Sequence, residues 1–456
     1  MGVRSFVGVL RHVLAVVVLA TAWTLPLQVH AQAAPANAGS PELQRQYKAA
    51  FDAMLADPGN LDKTFKFAQL AIQMNDLEGA VGALERMLII NPNLPRVRLE
   101  LGVLYYRLGS FEAARNYLQT ALASPGLPPE VRGRAEQVLA EIDKQRNPSR
   151  FSGSFLTGMR YQTNANAAPG TGTVRVGGID SQLGPSGTAT ADWNVFGVAA
   201  LAHLYDLGTQ EGDVIDSRMV LYGSRQFKAS EVNLFYTSVS SGPRMRFLPD
   251  LIPDTIVRPA VYLDYVMLDD RTEYTAPGAS VAFEHAINGG LAVLGLDYRR
   301  RIYHNSNEKP FNTNRDGNDI GARLSVDEQF LPWLAVNAGA SLYWLNARKS
   351  WETYYEWSVW AGITFLFEEL SLVQGQRGAL AFTVARVVAN YDQPDPTVDP
   401  NVSRRDHDWR LSATASVPLV DAWALVVQGG FTNRNSTLPN YSYRNWYGGM
   451  GIAWRF

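Results

Sequence analysis

Two periodicities divide the chain near residue 150. Between Pro41 and Gln145 apolar residues recur every three to four positions, the spacing of a helix with one face turned to a core. The pattern also repeats. Ala68 and Gly102, Asp76 and Ser110, Leu77 and Phe111, Ala80 and Ala114, Leu84 and Leu118, and Leu88 and Leu122 each stand 34 residues apart. Small residues at matching places let paired helices cross closely, and Pro92 and Pro125 fall near the end of each unit. Further helices are expected from Glu42 to Ala56 and from Glu130 to Lys144, flanking the pair as caps. After "RNPSR" at Arg146 to Arg150, helix formers give way to Gly, Thr, Tyr and Trp, and apolar and polar positions alternate. Successive side chains on a strand point to opposite faces, so each such run has one greasy face and one smaller or polar face. Strands are predicted near 151–163, 191–206, 213–226, 230–241, 256–267, 277–286, 290–303, 315–328, 333–345, 354–367, 377–391, 404–417, 421–434 and 443–456.

The 34-residue period resembles the tetratricopeptide helix-turn-helix repeat, for two clear units. Such stacks bind peptides or partner proteins along the face formed by the first helix of each unit. Counted from Leu61 and Pro95, that face is expected to show Asp62, Phe65, Gln69 and Ile72, then Arg96, Leu99, Val103 and Tyr106. Apolar and aromatic groups in a groove suit an extended apolar segment. The same residues could equally pack on a neighbouring helix or the following domain.

About fourteen strands is an even number, as expected of a bacterial outer-membrane barrel. Long links at 164–190, 304–314, 392–403 and 435–442 alternate with short ones near Gly208, Asn288, Leu331 and Pro418, the loop-and-turn asymmetry of such barrels. A very short link near Lys228 and a long one at 242–254 depart from it. The face opposite the greasy one carries Arg258, Asp264, Asp297, Arg299, Arg323, Asp327 and Arg410 amid Gly, Ser and Thr. A soluble sandwich would put apolar groups inside and polar ones outside; lipid outside and water inside explains aromatic strand ends and a charged second face together. The last strand, "WYGGMGIAWRF", sets Trp446, Met450, Ile452, Trp454 and Phe456 on one face, similar to the signal by which the barrel-assembly machinery takes up outer-membrane proteins.

Composition removes several alternatives. The 456 residues carry a formal charge of −2, which argues against a nucleic-acid binder with its basic stripe. With no cysteine, disulfides, thiolate metal sites and cysteine nucleophiles are excluded. Residues 1–31 read as a secretory signal: Arg4 and Arg11, an apolar run from Val13 to Ala22, and cleavage after Ala31. The expected domains are therefore 1–31 signal, 32–150 helical repeats and 151–456 barrel. HExxH, GxSxG, P-loop and GxGxxG motifs are missing, and no metal-ligand spacing stands out, so no catalytic, metal or cofactor site is expected. Asp406-His407-Asp408 is the one acid-base-like cluster, and it reads as a solvated strand edge.

Signal, tetratricopeptide helices and a barrel of about fourteen strands ending on Phe456 together resemble the surface lipoprotein assembly modulator family, proposed for type XI secretion. The resemblance extends to the start of the barrel, Gly158-Met159-Arg160-Tyr161-Gln162-Thr163-Asn164-Ala165-Asn166-Ala167-Ala168-Pro169. It implies an outer-membrane translocon component rather than an enzyme, with its N-terminal domain in the periplasm. Its implied partners are a secreted protein or surface lipoprotein client, outer-membrane lipids and the barrel-assembly machinery, and no nucleic acid. Exopolysaccharide export through a short-armed barrel and a general porin are the alternatives.

Overall fold

The structure is a computed structural model that describes residues 41–124, 128–184, 187–209, 212–248, 250–368 and 376–456. The expected signal segment and Pro125 lie outside the described residues. The chain divides into two compact units, one ending at Pro148 and one beginning at Ser149.

The first unit is an α-solenoid of six helices: α1 (Pro41–Ala56), α2 (Leu61–Gln73), α3 (Leu77–Ile90), α4 (Pro95–Arg107), α5 (Phe111–Leu122) and α6 (Pro129–Arg146). Its repeat is built locally. Asn60 caps α2 by accepting from the amides of Asp62 and Lys63, and Asp76 caps α3 by accepting from Gly79. The turns inside the two units pass through left-handed backbone at Asn75 and at Gly109, 34 residues on, which is what lets each second helix fold back on the first. Gly102 shows why small residues sit at the crossing: a Cβ there would lie 2.5 Å from Leu118 Cγ. One core joins α1 to α4 through Phe67, Ala71, Leu84, Met87 and Leu101, and a second joins α4, α5 and α6. The Tyr47 hydroxyl donates to Asp76 at 2.7 Å, tying α1 to the cap of α3 and raising the phenol pKa, with burial adding to the effect.

The second unit is a closed antiparallel β-barrel of fourteen strands. In chain order these are β1 (Ser149–Gln162), β4 (Asp192–Asp206), β5 (Val214–Gln226), β6 (Leu234–Arg246), β7 (Thr255–Leu268), β8 (Arg271–Ile287) and β9 (Gly290–Tyr303), followed by β10 (Gly317–Leu331), β11 (Leu334–Ala347), β12 (Tyr354–Phe367), β13 (Gly378–Tyr391), β14 (Arg405–Val420), β15 (Trp423–Ser436) and β16 (Tyr443–Arg455). A separate hairpin, β2 (Thr173–Val176) with β3 (Ile179–Gln182), occupies the link between β1 and β4. Each strand pairs with its sequence neighbours, and β1 closes on β16 from Ser154↔Arg455 to Gln162↔Tyr447. We call the rim where β1 begins the near end and the opposite rim the far end.

All fourteen predicted strands are present, with three shifted connections. The link near Lys228, expected to be very short, runs from Phe227 to Asn233 through a 3-10 turn at Ser230–Val232, and the strand predicted from 230 begins at Leu234. The segment 242–254, expected as a long link, is strand as far as Arg246. Between β7 and β8, where a loop was expected to run on to Pro277, the chain turns within Asp269-Asp270, both at positive φ, as a tight hairpin of the primed kind requires. Alternation is plain along β9, where Leu294, Leu296 and Tyr298 are exposed while Asp297 and Arg299 share the inner face. No helix among the described residues is long and apolar enough to cross a membrane. This architecture is consistent with an outer-membrane protein that carries a periplasmic helical domain.

Candidate functional sites in the helical unit and the barrel

The eight groove positions divide by environment. Asp62, Gln69 and Arg96 are exposed. Phe65 and Ile72 are half-buried against the α1–α4 core, and Val103 and Tyr106 against the α4–α6 core. Leu99 is 3% exposed, packed in one cluster with Leu118, Val131, Ala135 and Ile142. The reason is α6: it lies beside α4 as the first helix of a third unit would, and covers the position that an open-ended stack would present. The large apolar residues this unit does expose are elsewhere, Phe51 and Leu55 on α1, Ile89 and Ile90 at the end of α3, and Leu108 just after α4, with Ile89 81% exposed. The helical pattern gives no hint of these, because they extend an apolar run beyond what the core needs. Tyr105 and Tyr117 stack at 5.5 Å and both donate to Glu85 Oε1, at 2.6 and 3.2 Å. That bond, with burial, pushes the Tyr105 phenol up to about 12.

Inside the barrel the seven charged residues anticipated for the inner face all lie on it, and most are paired. Near the near end Arg244 and Arg258 both reach Glu284, and Arg218 holds Asp216 at 2.7 Å. Toward the far end Arg299 bridges Asp264, Asp297 and Asp319, and Arg301 also pairs with Asp319. On β14 and β15 the Asp408 carboxylate accepts from Arg434 Nε at 2.6 Å, Arg434 Nη2 at 2.7 Å and Arg410 Nη2 at 2.9 Å. Arg323 instead lies 4.6 Å from the Trp360 ring centroid. Buried acids held by two or three arginines act as cross-strand ties.

Asp406-His407-Asp408 cannot act as an acid-base cluster, because strand alternation separates its members. Asp406 and Asp408 face inward onto Arg404 and Arg434, whereas His407 faces outward, with Nδ1 accepting from Arg386 Nη2 at 3.0 Å. Among the described residues no group of three or more His, Asp or Glu is arranged to hold a metal ion.

The segment following β1 explains its asparagines. Asn164 makes a two-way clamp with Ala168, Nδ2 donating to the carbonyl at 2.9 Å and Oδ1 accepting from the amide at 3.0 Å. Asn166 makes a second, accepting from Thr190 N at 3.0 Å and donating to Thr188 O at 2.9 Å. The two amides fix where the long link leaves and returns. Its β2–β3 hairpin then lies over the far-end links of β13–β14 and β15–β16. Arg175 forks onto Asp180 and reaches Asp399, Asn440 exchanges two hydrogen bonds with the Arg175 backbone, and Gly177 and Gly178 donate to Thr397 and Val398. The paired carboxylates raise the Arg175 pKa, and Arg175 in turn lowers that of Asp180.

The last strand has the face anticipated for it. Trp446, Met450, Ile452 and Phe456 are exposed apolar groups, and Trp454 lies between the rings of Trp423, at 5.9 Å, and Phe456, at 4.8 Å.

Residues 68–140 match the tetratricopeptide repeat family model. No curated protein matches the chain. Among solved structures, the chain is similar to the Yersinia enterocolitica type III secretion translocator chaperone SycD, at 14% identity and a TM-score of 0.22, covering 23% of this chain and 74% of that one. It is similar also to PcrH in complex with the chaperone binding region of PopD, at 15% identity and a TM-score of 0.22, covering 23% and 81%. A tetratricopeptide repeat protein from Parabacteroides merdae gives 19% identity and a TM-score of 0.22, covering 23% and 40%. These values describe a likeness of helical stacks and extend no further.

Proposed function

We propose that this is an outer-membrane translocon component whose helical unit stands in the periplasm, receives a protein client, and passes it to a barrel that assists its export or display. The observation that carries the reading is the joining, on one chain, of a short tetratricopeptide stack and a closed fourteen-strand barrel with an apolar outer face and an ion-paired lumen. Lipid covers the outer face; unlike a soluble sandwich, a closed barrel leaves no second sheet to cover it. The surface lipoprotein assembly modulator family has this arrangement, and the asparagine clamps at the start of the far-end link give its motif a structural purpose. The client is a secreted protein or a surface lipoprotein, and the chain catalyses no covalent step.

The barrel-assembly machinery would take up the protein through Trp446, Met450, Ile452, Trp454 and Phe456. Client capture would use Phe51, Leu55 and Ile89 together with the exposed groove positions Asp62, Gln69 and Arg96, holding an incompletely folded chain at high local concentration beside the barrel.

Photo-crosslinkers placed at Gln69 and Arg96 test the reading in cells. A crosslinked signal-bearing protein in the envelope fraction is the expected product. Recovery of the protein from the soluble fraction, or of glycan alone in the crosslinked material, would reject it.

A further inference from the structure

On the outer face, near the far ends of β13 to β16, strand register assembles a cluster of cations that the lumen does not use. Arg386 on β13 is the cross-strand partner of Trp409 on β14, Trp409 of Asn433 on β15, and Asn433 of Arg444 on β16. These four form one row; at about 4.8 Å per strand, its end arginines stand about 14 Å apart along the sheet. One step toward the rim lie Val388, His407 and Asn435, and beyond them Asn390 and Arg405. Three arginines, one histidine and three asparagine amides therefore share a patch in which no outward position is acidic.

The pairing habits of this barrel make the patch unusual. Luminal Arg299, Arg301, Arg404, Arg410 and Arg434 each lie within 4.0 Å of a carboxylate, and the exposed Arg225 on the outer face pairs with Asp270. Among the described residues Arg386, Arg405 and Arg444 have no carboxylate at that distance. Arg444 and Arg405 are exposed, and Arg444 Nε donates only to Asn433 Oδ1, at 3.2 Å. Arg386 begins inside the strand, lies 5.0 Å from the Trp409 ring centroid, and extends toward the rim to His407. An arginine on a lipid-facing wall takes this course when its charge belongs at the headgroup level.

Just below the cations runs an aromatic and aliphatic zone. Trp446 packs on Phe431 at 4.2 Å, and Leu411, Val427 and Met450 are exposed beneath. The row of Arg386 and Arg444 thus marks the level at which hydrocarbon gives way to headgroups. Guanidinium forks with amide donors beside them match the oxygens of a phosphate better than those of a neutral sugar.

We infer that this patch is a binding site for the phosphorylated headgroup of an outer-leaflet lipid, seated on Trp409 and held by Arg386, Arg405 and Arg444. The inference rests on the outer-membrane reading above. The lipid would fasten the barrel in the leaflet on the side of β13 to β16, the strands that also carry the far-end hairpin.

The test uses the full mature chain in zwitterionic micelles doped with lipid A, with tryptophan emission and thermal unfolding as readouts. Lipid A is expected to shift both, and an Arg386→Gln/Arg405→Gln/Arg444→Gln variant to bind at least ten-fold more weakly while keeping the strand spectrum of the wild type. Should that variant fold poorly, Arg405→Gln/Arg444→Gln changes exposed residues only and is expected to lose several-fold. Dephosphorylated lipid is expected to have no effect, and inorganic phosphate not to compete. Equal binding by wild type and variants overturns the site; equal competition by free phosphate overturns the lipid as its occupant. Failure of the wild type to insert into phosphatidylcholine vesicles overturns the membrane reading instead, and this inference with it.

Discussion

Replacing Asp408 by alanine tests whether the barrel lumen is dry where its charges are densest. The Asp408 side chain is 1% exposed, and its partner Arg434 is 2% exposed. The substitution removes three charge-assisted hydrogen bonds, leaves Arg434 with Asp406 at 3.7 Å, and leaves Arg410 without its bridge. Breaking a buried pair by removing one partner costs about 3–5 kcal/mol, because the remaining cation is desolvated and uncompensated. The exposed pair Arg225–Asp270, with side chains 72% and 63% exposed, provides the contrast: Arg225→Ala should cost about 0–1 kcal/mol. Urea unfolding in micelles, followed by tryptophan emission, separates the two. With a slope of about 2 kcal/mol/M the Asp408→Ala midpoint falls by about 1.5–2.5 M, against less than about 0.5 M for Arg225→Ala. Adding Arg434→Met should restore part of the loss, since an apolar side chain needs no counter-charge. If the two alanine variants shift alike, and high salt erases both shifts, the lumen at this level is filled with water and the argument from desolvation fails.

Other consequences can be measured separately. Gly102→Leu drives atoms into Leu118 and should cost about 1–3 kcal/mol of helical-unit stability, read as a lower melting point at 222 nm; an unchanged melt would mean that α4 and α5 do not cross there. Tyr105 is raised in the folded state from an ordinary value of about 10, so folding favours its protonated form. That contribution is complete below about pH 10 and is lost as pH rises through about 12; Glu85→Gln should bring the tyrosinate absorbance step back toward 10, and an unmoved step would remove Glu85 as the cause. Arg175→Gln should speed amide exchange across β2 and β3 without changing β13 to β16, and equal exchange rates would show that the ion pairs do not hold the hairpin.

Much of this was written in the sequence because both halves are periodic. Every barrel strand was visible through its greasy alternate positions, and the 34-residue repeat through its small residues. What escaped lies where local cues and tertiary context conflict. Gly242-Pro243 reads as a break, yet β6 runs through it, with Pro243 opposite Ile215 and Gly242 lying close to the Pro259 backbone. Asp269-Asp270 reads as the start of a polar loop because the strand after it opens on Arg271 and Glu273, charged groups that find partners far along the chain, Glu308 for the one and Lys309 with Arg315 for the other. The β2–β3 hairpin is short and polar, and its partners lie more than two hundred residues away, so no window could reveal it. In the candidate groove, spacing placed the eight positions on α2 and α4 but could not foresee that α6 would cover Leu99.

The barrel closes unequally along its length. At the far end the β1–β16 ladder continues past the strands through Thr163 and Asn164, and the hairpin then reaches beyond it to the loops of β13 and β15. At the near end β1 extends from Ser149 to Ser152 without partners on β16, and closure stops at the bridge between Gly153 and Phe456. A zipper sewn shut at one end peels only from the other. Any parting of the first and last strands would therefore meet its greatest resistance at the far rim, where the hairpin ties the start of the sheet to the links of β13–β14 and β15–β16.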